Sequence, residues 1–169
     1  WCLAEPHRLA AIGRDSTQPW SDYVRGVVRE ILALCPTLGG FDIAIAGDVP
    51  RGAGLSSSAS LEVAVATAVD GVFSLGLDGF TRARIGQRAE NDFVGCRCGI
   101  MDQLVSAVGR GGHASLIDCR TLEVRPVPIP AERAVLIVDS RIERGLVDSA
   151  YNARRAQCES AAAALGVRA

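Results

Sequence analysis

The chain has no lysine. All eighteen of its basic residues are arginine, which excludes a Walker-type phosphate loop, because that loop needs a lysine beside its last glycine. Histidine is scarce too, at two residues. The one close cysteine pair, Cys96 and Cys98, has no second Cys/His pair at zinc-site spacing. No apolar run is long enough to span a bilayer. The first residues, Trp1-Cys2-Leu3-Ala4-Glu5-Pro6, lack the basic start and apolar core of a secretion signal. Excess charge is also missing. A net charge of −1 argues against a nucleic-acid partner held by a basic surface and gives no support to a membrane-surface role. The six cysteines, at 2, 35, 96, 98, 119 and 158, are too sparse for a disulfide-stapled secreted scaffold. They read as reduced thiols of a cytoplasmic protein, several of them packing as small hydrophobes. There is no initiating methionine, so the expectation is a segment of something longer.

What is present suits a globular domain: 169 residues, 49% hydrophobic. Apolar residues Tyr23, Val24, Val27, Val28, Ile31 and Leu32 recur at helical spacing between Trp20 and Leu34. The run 41–47 reads as a strand, and helices follow at about Ser57–Leu75, Phe80–Phe93 and Ile100–Val108. His113–Cys119 and Leu122–Ile129 read as a hairpin, with Pro126, Pro128 and Pro130 marking the second strand as an edge or ending it early. Ala134–Asp139 reads as a buried strand and Val147–Leu165 as a last helix. Strands and helices mix without a regular βαβ repeat, so the expected class is α+β.

The segment Pro50-Arg51-Gly52-Ala53-Gly54-Leu55-Ser56-Ser57-Ser58-Ala59-Ser60 carries the most chemistry. A glycine-rich loop entering a helix leaves backbone N–H groups unpaired and aimed at one spot, where the helix dipole adds positive charge. Such a spot favours phosphate, and the serines add hydroxyls for phosphate or a metal ion. Without lysine, phosphate charge must be met by backbone dipoles, arginine or a bound cation. Taken alone the loop is equally an ordinary Ser-rich turn and N-cap, and a helix carboxylate such as Glu90 equally a solvated one.

Several motifs in order resolve the choice. The Ser-rich loop resembles the phosphate-binding motif of the GHMP small-molecule kinases. Three stretches resemble the galactokinases within that superfamily: Ala89-Glu90-Asn91-x-Phe93-Val94-Gly95-Cys96-x-Cys98-Gly99-Ile100-Met101-Asp102-Gln103, His113-Ala114-x-Leu116-Ile117-Asp118-Cys119-Arg120, and Arg144 through Glu159 with Tyr151-Asn152-x-Arg154-Arg155. Trp20-x-x-Tyr23-Val24-Arg25-Gly26-Val27 is similar as well. The resemblance implies a GHMP-kinase-like fold (ribosomal protein S5 domain 2-like), with residues 1–139 as a nucleotide-binding domain and 140–169 as the start of a second one. It implies transfer of the ATP γ-phosphoryl to the C1 hydroxyl of galactose in a cytoplasmic, monomeric enzyme. By the same resemblance Gly52, Ala53, Gly54, Leu55, Ser56, Ser57 and Ser58 cradle ATP, and Ser58 and Glu90 hold Mg2+. Asp102 takes the hydroxyl proton or orients the hydroxyl, while Gly99, Asp102 and Tyr151 face the sugar. Arg154 and Arg155 are expected as ion-pair or packing residues, and His113 in a strand without a catalytic role.

The family's N-terminal Gly-Arg-x-Asn-x-x-Gly-Glu-His stretch and its C-terminal glycine-rich motif do not occur here. The expectation is therefore the middle of such an enzyme, inactive by itself and exposing apolar faces. An N-acetylgalactosamine, arabinose or homoserine kinase, or a non-catalytic galactose/ATP sensor, are the alternatives.

Overall fold

In the computed structural model of the protein, residues 12–138 and 147–167 are described, the side chains of residues 147–150 excepted. The first helix, α1 (Ser21–Leu34), buries Val27, Val28 and Ile31 on one face. That face meets α2 (Ser57–Phe73), whose Val65, Ala66 and Val69 complete the main core with Leu38, Ile85 and Ala89. The apolar i, i+3/i+4 spacing of both helices makes this packing possible.

The next helix, α3 (Gly79–Arg88), starts with an Asp78 cap whose carboxylate accepts from the Thr81 N–H at 2.7 Å. The expected single helix to Phe93 is interrupted. From Ala89 to Val94 the chain widens into a π-helical segment, which ends at Gly95 with φ of 95°. Such widenings cluster at functional sites, and this one carries Glu90. It can lie against α1 because Gly26 has no side chain: a Cβ there would stand 2.9 Å from the Ala89 Cβ and 3.1 Å from its Cα. Alanine at position 26 gains up to about 1 kcal/mol of helix propensity. The clash is with backbone, however, so overpacking outweighs that gain. Gly26→Ala is expected to destabilise by about 1–2 kcal/mol net in urea unfolding.

Helix α4 (Met101–Val108) follows and buries Leu104 and Gln103. Leu104 joins Ala83 and Ile100 in a second core, packed over Ile117 and Val124 of the hairpin. The hairpin strands β1 (His113–Ile117) and β2 (Val124–Pro128) pair antiparallel, with Ser115 opposite Pro126 and His113 opposite Pro128. The cross-strand bonds Asp118 N–H to Glu123 O and Ile129 N–H to Gly112 O fix the parity. Pro126 and Pro128 thus fall on positions whose nitrogens face away from β1, the edge-strand placement expected of proline.

Two expected strands did not form among the described residues. In 41–47 only Asp42 makes an isolated bridge. In Ala134–Asp139 no strand is present up to Val138, and Asp139 lies outside the described residues. Val135, Leu136, Ile137 and Val138 are 60–85% exposed rather than buried. A strand needs a neighbour to pair with, and no described strand lies beside either run. The run 135–138 therefore stands as an exposed apolar stretch. The last helix, α5 (Val147–Leu165), ends where expected. It is tied to the Gly95–Gly99 turn by Asn152, whose Oδ1 accepts from Arg97 N–H at 2.9 Å and whose Nδ2 donates to Gly95 O at 3.0 Å. Arg97 also pairs with Glu159 at 2.8 Å. The described cysteines, 35, 96, 98, 119 and 158, are all free thiols.

Candidate functional site

The loop before α2 bends at every second residue. Gly52 and Gly54 have φ of 75°, and Ser56 has φ of 55°. The glycines adopt this left-handed backbone without steric cost, whereas Ser56 does so under strain. Alternating backbone of this kind turns successive N–H groups inward and makes an anion-binding concavity. No side chain caps α2; its N-cap residue is Ser56 itself. The first-turn N–H groups are thereby left for an external acceptor.

This loop forms one wall of an open cleft of about 370 Å³. Gly52, Gly54, Leu55, Ser56, Ser57 and Ser58 line it from the loop side, Glu90 from the π-helical segment, Gly99 and Asp102 from the start of α4, and Tyr151 from α5. The sequence-derived candidates therefore meet in one place, with a single exception. Ala53 is half-buried and does not line the cleft. Arg51 is exposed and is also outside the lining. Arg154 donates to Gln157 at 2.9 Å, and Arg155 pairs with Glu159 at 2.9 Å. Tyr23, Cys96, Cys98 and Met101 also line the cleft. Sequence reasoning assigned them nothing, although all four sit inside the motifs that carry the family resemblance.

The electrostatics are those of crowded acids. Glu90 is 8% exposed. Burial, above all, pushes its carboxyl pKa up, and the neighbouring Asp102 charge adds to this; hydrogen bonds from Cys98, Ser58 and Gln103 oppose it. Burial and the adjacent Glu90 also drive the Cys98 thiol up. It stays protonated and donates to Glu90 Oε2 at 3.4 Å. None of the described residues lining the cleft is a cation. With two carboxylates, three serines and a helix N-terminus but no arginine in the lining, the charge of a phosphate placed here would have to be met by backbone dipoles and a cation.

The donor set fits magnesium, which prefers hard oxygens and keeps several waters. Among the described residues no three His, Cys, Asp or Glu side chains are grouped to hold a metal ion. A cation held here by Ser58 and Glu90 would draw its remaining ligands from water and from the molecule it accompanies.

Below the cleft, Glu62 and Gln103 are fully buried. Burial, first, and the Glu90 charge, second, push the Glu62 carboxyl from 4.5 up to about 8, against the pull of its Gln103 hydrogen bond. The folded state therefore holds this proton to higher pH than the unfolded chain does. The stability it contributes is complete below about 4.5 and is lost as pH rises through about 8. Urea midpoints are expected to fall between pH 5 and pH 8.5 by an amount equivalent to a few kcal/mol, and Glu62→Gln should flatten most of that slope. A slope unchanged in the variant would assign it to other groups.

A family model described as GHMP kinases N terminal domain matches residues 22–110 of this chain. Among solved structures, Lactococcus lactis galactokinase complexed with galactose is similar, at 30% sequence identity and a TM-score of 0.72. The match covers 89% of this chain and 39% of that one, so the chain spans about two fifths of that galactokinase. Among the described residues no helix is long and apolar enough to cross a membrane.

Proposed function

The chain belongs to the GHMP kinases, and on that premise we propose that it is the phosphate-binding part of a sugar kinase that transfers the γ-phosphoryl of ATP to the C1 hydroxyl of galactose. One observation supports the reading above the rest: Ser58, Glu90 and Asp102 line one cleft together with the glycine-rich loop at the uncapped start of α2. The amides of Gly52–Ser58 hold the triphosphate. Ser58 and Glu90 hold magnesium, which when bound neutralises charge on the phosphate oxygens.

Asp102 stands in the first turn of α4 and lines the same cleft as the loop. It accepts the C1 hydroxyl proton, or orients that hydroxyl, as the new O–P bond forms and the bond to the leaving ADP breaks. The Gly99 backbone, free of any side chain, allows close approach of the sugar, and the Tyr151 hydroxyl bonds to it. A division near residue 139, between this nucleotide domain and a second one, belongs to the same reading, as do a cytoplasmic location and a monomeric full-length enzyme.

The test is sugar-dependent ADP release, measured with galactose, N-acetylgalactosamine and arabinose. It is run on the chain itself and on the chain carrying its own flanking coding sequence. The expected result is turnover with galactose in the extended protein and little or none in the 169-residue chain. Preference for another of the sugars would move the substrate within the family. No sugar-dependent release by the extended protein would overturn the kinase reading.

A further inference from the structure

Beneath the cleft lies a buried polar chain that the proposed transfer does not use. Glu62 on α2 and Gln103 on α4 are both 0% exposed. The Gln103 Nε2 donates to Glu62 Oε2 at 3.0 Å and to Glu90 Oε2 at 2.7 Å. A side-chain amide has two N–H donors, and both are spent on the carboxyl groups of Glu62 and Glu90. Turning Gln103 over would lose both bonds and set its Oε1 against Oε2 of Glu90. Gly86 makes the room: a Cβ there would stand 3.1 Å from Gln103 Cγ and 3.2 Å from both Cβ and Oε2 of Glu62.

The arrangement is not one that stability would select. Glu62 Oε1 and Gln103 Oε1 are buried without a hydrogen-bond partner, and each such atom costs free energy that an apolar pair of the same shape would not. What the chain does secure is the Glu90 carboxylate. Both the Gln103 amide and the Cys98 thiol end on its Oε2.

We infer that Gln103 and Glu62 are positioning residues. Glu62 locks the amide of Gln103, and Gln103 pins Glu90 by Oε2 so that the carboxylate is held ready for the cation that accompanies the nucleotide. This rests on the role proposed above for Glu90. Outer partners of this kind are worth about 10–100-fold in metal affinity in other proteins.

The test compares the whole chain with Gln103→Leu, Glu62→Leu and Glu62→Gln. The probe is the fluorescent nucleotide N-methylanthraniloyl-ATP, titrated in excess Mg2+ and again in EDTA, with urea unfolding as the check on folding. The ratio of the two affinities reports what the cation adds. In Gln103→Leu this ratio is expected to fall about 10-fold or more, with affinity in EDTA unchanged. Glu62→Leu should fall in the same direction. Glu62→Gln, which retains an acceptor oxygen for Gln103, should restore most of what Glu62→Leu loses.

A wild-type ratio in Gln103→Leu would overturn the inference, as would equal losses in the two Glu62 variants. If the wild-type chain, and the chain with its flanking sequence, bind no nucleotide, the kinase reading fails. The positioning claim is then decided by ligand-free crystal structures of wild type and Gln103→Leu. A displaced Glu90 carboxylate supports it, and superimposed carboxylates overturn it.

Discussion

Asparagine in place of Asp102 is expected to lower kcat of the extended enzyme by about 100- to 10,000-fold, the range associated with losing a positioned acid or base. Nucleotide affinity should hardly change. Asp102 lines the cleft from α4 and is not part of the Gly52–Ser58 loop, and the asparagine amide preserves its volume at the first turn of that helix. The split between kcat and binding is what identifies a group acting in the transition state. A helix-start aspartate that merely complements the dipole would act differently, with a few tenths of a kcal/mol of stability lost and turnover intact. Retained turnover in Asp102→Asn would remove this residue from the chemical step.

The second large effect concerns Glu90, and it runs in opposite directions for function and for stability. Glu90 is nearly buried, beside the Asp102 charge, with its carboxyl pKa pushed upward. Glu90→Gln removes the cost of burying a charge and the repulsion from Asp102, and keeps an oxygen that can accept from Gln103. The fold should therefore be as stable as wild type at pH 8, or more so. If the carboxylate holds magnesium, the same change should lower kcat/KM on the order of 100-fold or more, because a bound metal supplies several kcal/mol of charge stabilisation. Urea unfolding and steady-state kinetics on one variant read both signs. Loss of stability together with unchanged kinetics would make Glu90 a structural residue. Increased stability with lost activity is the signature of a site that trades folding free energy for chemistry.

Much of this was legible in the sequence because it is local. The apolar spacing of Val27, Val28 and Ile31 marks α1, and the Gly-Ala-Gly-Leu-Ser run marks the turn into α2. The prolines of β2 announced an edge because their missing N–H groups leave few other places to sit. The runs 41–47 and 134–138 misled because strand formation depends on a distant partner, which β propensity does not specify. The widening at Ala89–Val94 was illegible for a related reason. Its packing depends on close approach to α1 at Gly26, a contact between residues more than sixty positions apart.

At the site, the loop Gly52–Ser58, Glu90 and Asp102 were singled out by motif, and Ser58, Glu90 and Asp102 line one cleft. Glu62 was not singled out, since an acid in a helix full of alanine and valine reads as a solvated position until its burial is seen. Gln103 stood inside a quoted motif without a role, which only its two bonds to Glu62 and Glu90 supply.

The central claim is that a concave loop of amides receives a nucleotide triphosphate beside Glu90 and Asp102. Its most direct test is amide NMR of the 169-residue chain titrated with Mg2+ and a non-hydrolysable ATP analogue. The account predicts the largest shifts at the N–H groups of Gly52, Gly54, Ser56, Ser57 and Ser58, with smaller ones around Glu90 and Asp102. Shifts confined to the hairpin or to the face of α1 beside Trp20, with the loop amides unmoved, would contradict it.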